Sequence, residues 1–398
     1  MEPVNLMAAG KTSFSEILAR TKSEAERRME RKLPSWASIS KSLKDKGLDP
    51  LELPEAISLE QCSSELSARH KAALASSLIR KQGLQPPVRI CDLTCGMGVD
   101  SWAFAQFADE VLAYERNPRL QSISAANLRK LGAENVRVLN EEITPASTIP
   151  ACSLVYADPA RRNEAGKKVF LLEDCSPDIT ALLPSLLGSA ALVMLKLSPM
   201  ADLSMLSSRL GRRLHQIHII SLKSEVKELL CILKREECPQ PEIRVSELHS
   251  DGSHSDFSFF PDEERQTPAV FASRPEAGQI LAEPRAAMMK SGAFRLSCRR
   301  FGIERLGAST QLYLVPEGGS LPPEAFFKLH RIERVEEFGN AAIRTLGREY
   351  PDAEVSARNL PLDSNALRKK LGTKGGGQTH IFGLSTSSER LLLVCRPL

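Results

Sequence analysis

The stretch Val88–Gly98, VRICDLTCGMG, constrains this chain more than any other. Val88 to Leu93 is a short apolar run with Asp92 near its end, which predicts a buried parallel strand. Thr94 to Gly98 is a turn of small residues with glycines at 96 and 98, so the backbone there can approach a ligand closely. Ser101 to Ala108, SWAFAQFA, has the composition of a helix start. Strand, glycine turn and helix form the front edge of a nucleotide-binding α/β unit. The dinucleotide fingerprint G-x-G-x-x-G is absent, because Asp100 and Ser101 come after Gly98, and no Gly-Lys-Ser/Thr of a P-loop is present. An ordinary strand-to-helix turn shares this outline, so the reading draws its weight from the strand tips farther along the chain.

At 398 residues the chain exceeds one small core, and roughly two or three domains are expected. A net charge of +4 is compatible with a nucleic-acid partner, while an aromatic share of 5% argues against broad base-stacking platforms. The nine cysteines include no C-x-x-C pair, so neither a metal centre nor a disulfide framework is expected. Thiols buried in a reducing cytoplasm are the expectation instead. No run reaches the roughly 18 apolar residues of a membrane span, and no secretory signal core is present.

Further strands occur at βα spacing, and their tips carry chemistry. Glu110–Glu115, EVLAYE, ends on a carboxylate, and an acidic group at the second strand's tip can accept both ribose hydroxyls of an adenosine. Asn135–Leu139 is followed by Asn140, Glu141 and Glu142. Ser153–Ala157 ends in Asp158-Pro159-Ala160-Arg161-Arg162, with Asp158 at the carboxyl end where parallel sheets place ligands. Arg161 and Arg162 suit phosphates or, equally, surface carboxylates. Ala191–Leu197 carries Lys196 at its tip, aimed at the same crevice as a candidate substrate or phosphate contact, and Ser198-Pro199 comes next. Gln216–Ser221 and Lys227–Leu233 are separated by so short a link that they must pair antiparallel. Cys175 lies beside the helix start Ser176-Pro177-Asp178, and with no basic neighbour in sequence it reads as a packed small residue rather than a nucleophile.

Together these motifs resemble class I methyltransferases that use S-adenosylmethionine, whose first motif reads D-L-x-C-G-x-G, with Thr94 here in place of a usual Gly. A small bacterial group carrying D-L-T-x-G-x-G-x-D, D-P-A-R-R and K-L-S-P is matched over residues 58–235. The resemblance implies a doubly wound, seven-stranded Rossmann-like α/β sheet with an antiparallel last strand. It implies cofactor contacts at Asp92, Thr94, Gly96, Gly98, Glu115, Glu142 (with Glu141 as rival) and Asp158. Asp158 is also the implied catalytic residue, positioning or deprotonating the acceptor as in D-P-P-R and N-P-P-Y enzymes. Ala160 replaces their second Pro, and no aromatic comes after it. Ser198 stands where cytosine-C5 enzymes carry a Cys, which argues against that chemistry. Gln61 and Ser63 fall where the group often covers the methionine end of the cofactor, although helix capping explains a serine there equally well.

Four segments are expected: a helical region 1–86, the methyltransferase domain 87–265, a small α+β (ferredoxin-like) domain 266–320, and a domain 321–398. Within the first, Phe14–Lys32 and Ser58–Arg80 read as helices. Residues 243–260 read as a hairpin and 262–268 as a linker. In the last segment the basic stretch NALRKKL precedes GTKGGGQTHIFGL and RLLLVCRP, an order that resembles the THUMP-like domain of the same group. THUMP domains belong to tRNA-modifying enzymes, so Arg358, Arg368, Lys369, Lys370 and Lys374 become phosphate-contact candidates, with a solvated basic face as the alternative. The sequence thus points to a cytoplasmic methyltransferase acting on RNA, tRNA foremost, with no metal and no membrane association. A methyltransferase of a protein or small molecule, and a non-catalytic RNA-binding protein that keeps the fold, are the rival readings.

Overall fold

The computed structural model describes residues 23–54, 56–160, 172 and 175–398. Sixteen strands are present among them: β1 (Arg89–Asp92), β2 (Glu110–Tyr114), β3 (Val136–Leu139), β4 (Cys152–Ala157), β5 (Ala190–Leu197), β6 (Leu214–Leu222), β7 (Glu225–Lys234), β8 (Glu242–Leu248), β9 (His254–Phe259), β10 (Ile280–Pro284), β11 (Glu304–Gly307), β12 (Thr310–Val315), β13 (Phe327–Glu337), β14 (Glu354–Arg358), β15 (His380–Ser385) and β16 (Arg390–Pro397). One sheet has the order β3-β2-β1-β4-β5-β7-β6-β8-β9 and the other β11-β12-β10-β13-β16-β15-β14. The chain divides into two compact units. The first runs to Ala157 and takes in Pro184–Ala191, and the second holds the remaining described residues.

In the first unit β1 lies parallel to both β2 and β4, with Ile90 opposite Val111 and Leu154. Strand order reverses at β1, so the carboxyl ends of β1 and β4 flank a topological switch point. The helical region packs onto this unit as two helices where the sequence predicts one over Ser58–Arg80. Ala56–Gln61 and Glu65–Lys81 are separated by a break at which Ser64 caps the second, its hydroxyl accepting from the Ser67 amide at 3.2 Å. The Lys32 ammonium donates to the carbonyls of Leu59, Glu60 and Cys62 and satisfies the open end of the first. Upstream, the helix Glu24–Lys32 opens on a Ser23–Glu26 capping box. Trp36 and Trp102 meet edge to face at 5.9 Å between ring centres.

In the second unit β6 and β7 form the expected antiparallel pair. The sheet does not stop at seven strands. β8 joins the outer edge of β6 in parallel and β9 returns antiparallel to it, so the hairpin read from residues 243–260 extends the sheet to nine. Alternating apolar residues Ile243, Val245, Phe257 and Phe259 give this pair a buried face. The expected linker 262–268 is a helix over Pro261–Gln266, with Pro at its first position and the Glu263 carboxylate accepting from the Phe260 amide at 3.0 Å.

The two C-terminal segments share one sheet, because the long strand β13 pairs with β10 on one side and β16 on the other. Phe257 of β9 touches Phe301 and Phe326, and Phe301 touches the fully buried Phe327, an aromatic cluster that joins this sheet's helices to the nine-stranded sheet. Arg285 donates to the Ser224 hydroxyl in the β6–β7 turn, and Lys290 donates to the Ala201 carbonyl at 2.6 Å in the loop after β5. Truncating the cluster at Phe327→Ala should cost about 3–5 kcal/mol, read as a lowered urea midpoint of the C-terminal transition.

Candidate active site

The glycine turn is held by its own carboxylates. Asp92, fully buried, accepts from the Ser101 hydroxyl at 2.5 Å and from the Thr94 amide at 3.1 Å, fixing the turn against the helix Val99–Ala105. Glu115 leaves β2 and accepts from the Gly96 amide at 2.9 Å and the Asn117 amide at 2.8 Å. Asp92, Thr94, Gly96 and Glu115 are therefore brought together. The two glycines answer different demands. Gly98 has φ 79° and a Cβ there would sit 2.9 Å from Leu128 Cδ1, so it is required for helix packing. Gly96 has φ 55° and a Cβ would meet no atom within 4 Å, so its outer side is open to a ligand. Glu142 lies on the surface beyond β3, paired with Arg116 at 3.2 Å, and Glu141 beside it is exposed.

A buried network backs the turn. Lys71 has no solvent exposure, and its ammonium sits 3.1 Å from Asp100 Oδ1 and 2.9 Å from the Ser63 hydroxyl. Asp100 Oδ2 accepts from Ser63 and from the Tyr156 hydroxyl, each at 2.8 Å. Ser63, a candidate for cofactor binding or capping, instead bridges the pair Lys71–Asp100, and Ser64 takes the capping role. Asp100 is the last letter of the sequence motif, yet it, Lys71 and Tyr156 carry no role in the sequence reading. The available signal is a lysine on the small-residue face of a helix, which spacing alone does not distinguish from a solvated one.

At the carboxyl end of β4 the chain enters Asp158-Pro159-Ala160. This turn is tied down by Ala160 and Ser176, which exchange amide-to-carbonyl bonds of 2.8 and 3.0 Å. Asp158 accepts from the Lys196 ammonium at the tip of β5, so these two candidates are brought together as an ion pair. Arg161 and Arg162 lie outside the described residues. Cys175 is half-buried, and none of the described cysteines is disulfide-bonded.

In the C-terminal sheet the helix Ser364–Leu371 buries Leu367 and Leu371 and presents Lys369 and Lys370 to solvent, with Arg368 half-buried. Lys374 is exposed in the loop after it, its amide bonded to the Pro351 carbonyl at 2.8 Å. Arg358 is not part of this face. Its guanidinium lies 2.8 Å from Glu283, whose buried carboxylate needs a countercharge more than solvent phosphate does. His330 stands 3.4 Å from the same carboxylate. Burial alone would raise the Glu283 carboxyl, but His330 and Arg358 outweigh it and bring it down to about 2. Burial pushes the neighbouring His380 ring down to about 4.

Against known proteins, residues 327–397 match the model of a THUMP domain-like family and residues 281–318 that of a ferredoxin-like domain. The crystal structure of a proposed methyltransferase from Porphyromonas gingivalis W83 superposes with a TM-score of 0.74 at 26% identity, covering 94% of this chain and 88% of that one. A human methyltransferase 10 domain containing protein gives 0.38 at 13% identity over 51% of this chain and 98% of its own, and a proposed methyltransferase of Escherichia coli 0.33 at 18% over 47% and 92%. No curated protein matches the chain. Among the described residues no helix is long and apolar enough to cross a membrane, and no group of three or more His, Cys, Asp or Glu is arranged to hold a metal.

The buried charges set two measurable outcomes. Lys71→Met strands the Asp100 carboxylate and should destabilise the first unit by about 3–5 kcal/mol, measured by urea unfolding. Acid should weaken the C-terminal sheet in two stages. From pH 6.5 down to about 4 the unfolded chain protonates His380 while the folded one does not. From about 4.5 down to 2 the same holds for Glu283. Each stage removes at most about 3 kcal/mol, so a pH series of melts should show stability falling below pH 6.5 and again below 4.5. The glycine turn, the strand order around it and the matches to solved and family models converge: the chain has the Rossmann-like class I methyltransferase fold with a THUMP-like module at its C-terminal end.

Proposed function

We propose that the protein is an S-adenosylmethionine-dependent methyltransferase that acts on RNA, tRNA foremost. The observation that carries the cofactor is the Gly96 turn, open on its outer side and anchored by the Glu115 carboxylate. The donor set suits a sulfonium-bearing adenosine better than a phosphate. Carboxylates flank the turn, and the turn itself, TCGMG, carries no lysine to meet a phosphate. Asp92 and Thr94 would hold the turn in shape, Gly96 would let the methionine portion approach, and Gly98 would keep the supporting helix close. Glu115 would accept the ribose hydroxyls, and Glu142 would lie on the adenine side.

When bound, the cofactor supplies an already activated methyl group, so no metal is needed. The residues here have to align the acceptor and exclude water. Asp158, on a turn stiffened by Pro159, would orient the acceptor and receive its proton. The THUMP-like module supports RNA as the substrate class, with Arg368, Lys369 and Lys374 as phosphate contacts, Lys196 as a further substrate contact, and Arg161 as one expected from its motif alone.

Titration calorimetry separates the roles. Glu115→Gln should weaken S-adenosylmethionine binding about tenfold or more, equivalent to roughly 1.4 kcal/mol. Asp158→Ala should leave binding within about threefold of wild type and abolish methyl transfer to RNA. Absence of heat with the wild-type protein would remove the enzyme reading altogether.

A further inference from the structure

The groups around Asp158 also carry information about the acceptor atom. Lys196 is 12% exposed at its side chain and is committed to Asp158, which is 37% exposed. The Ala160–Ser176 bridge holds the turn beneath Asp158 in place. On the other side of β5, Lys196 pairs across the ladder with Leu230 of β7. Alternation puts Glu228, two residues earlier, on the same face as Leu230, at the level of the carboxyl end of β5. Glu228 is 3% exposed. Lys196 thus touches Asp158 and shares a sheet face with Glu228 of the neighbouring strand.

Such a site offers an acceptor one strong donor and one strong acceptor. A hydroxyl matches both. One lone pair takes a hydrogen bond from Lys196, its proton points to Asp158, and the second lone pair remains to attack. The exocyclic amine of a base matches poorly. It has two N–H donors and a lone pair spread into the ring, while one carboxylate oxygen is already occupied by Lys196 and the ammonium itself faces it as a like donor. An alkylammonium acceptor would add charge repulsion.

We infer that Lys196 is a catalytic residue and that the acceptor is a hydroxyl, specifically the ribose 2′-hydroxyl of RNA, the one sugar hydroxyl not esterified within the chain. This rests on the reading of the protein as an RNA methyltransferase. The C–O bond forms as the S–CH3 bond of the donor sulfonium breaks, its electron pair remaining on sulfur as a neutral thioether. The hydroxyl proton passes to Asp158 and then to solvent. Lys196 keeps its proton throughout and stabilises the oxygen as its own proton departs.

The test uses the full-length protein, methyl-labelled S-adenosylmethionine, and bulk tRNA and rRNA from cells lacking the protein. Products are digested to nucleosides, and the same RNA is mapped by partial alkaline hydrolysis, which a 2′-O-methyl group blocks. Label in ribose, together with an alkali-resistant position present in RNA from wild-type cells and missing without the protein, supports the inference. Label on a base nitrogen or carbon overturns it while leaving the RNA methyltransferase reading standing. No label in RNA from protein that binds the cofactor by calorimetry overturns both. Lys196→Met should lower methyl transfer about 100-fold or more with cofactor affinity within threefold of wild type, and Lys196→Arg should recover part of the loss. Wild-type transfer by a Lys196→Met protein whose melting curve is unchanged removes Lys196 from the chemistry.

Discussion

The ion pair between Lys71 and Asp100 is the interaction on which the arrangement of the first unit depends. A lysine without solvent contact is expensive unless its charge is met and its protons are placed. Here Asp100, Ser63 and Ser67 meet it, and Tyr156 completes the carboxylate. These residues come from the helix before β1, the helix after it and the end of β4. One charge pair therefore fixes the three segments that frame the glycine turn. Asp92 and Glu115 then need only short-range bonds to shape the turn itself.

A similar economy appears at the tips of β4 and β5. Asp158 alone would be an acceptor for many groups, but the ammonium of Lys196 gives the pair a polarity, with a donor on one side and an acceptor on the other. Specificity of this kind comes from what the site refuses as much as from what it accepts. The fold is common to many chemistries, so under the proposed reading the selectivity resides in such pairs and not in the sheet.

Much of this is legible in the sequence because it is local. The run VRICDLTCGMG, the carboxylate closing EVLAYE and the short link before Lys227 each encode a strand tip or a pairing direction within a few residues. The departures are all long-range or depend on a single capping contact. Residues 243–260 read as the hairpin they form, but nothing local says that β8 will add to the free edge of β6. Pro261–Gln266 has the composition of a linker because its charges dominate its short length, whereas Pro at the first position and Glu263 reaching back make it a helix. Arg358 has the composition of a basic face, and its partner Glu283 lies far away in sequence. Lys71 and Asp100 are invisible for the same reason. Asp158 and Lys196 each stand out at a strand tip, but their pairing becomes apparent only when the ends of two strands are side by side.

The grip of Lys290 and Arg285 on the loop after β5 and on the β6–β7 turn, together with the phenylalanines shared across β9, bears on how such a chain could have been assembled. An appended domain joined by a slack tether can be exchanged like a cassette. This one is grafted, with its side chains supplying part of the neighbouring sheet's own cover. Removing it would strip partners from Ala201, Ser224 and Phe257 at once, so the neighbouring strands would have to be re-covered.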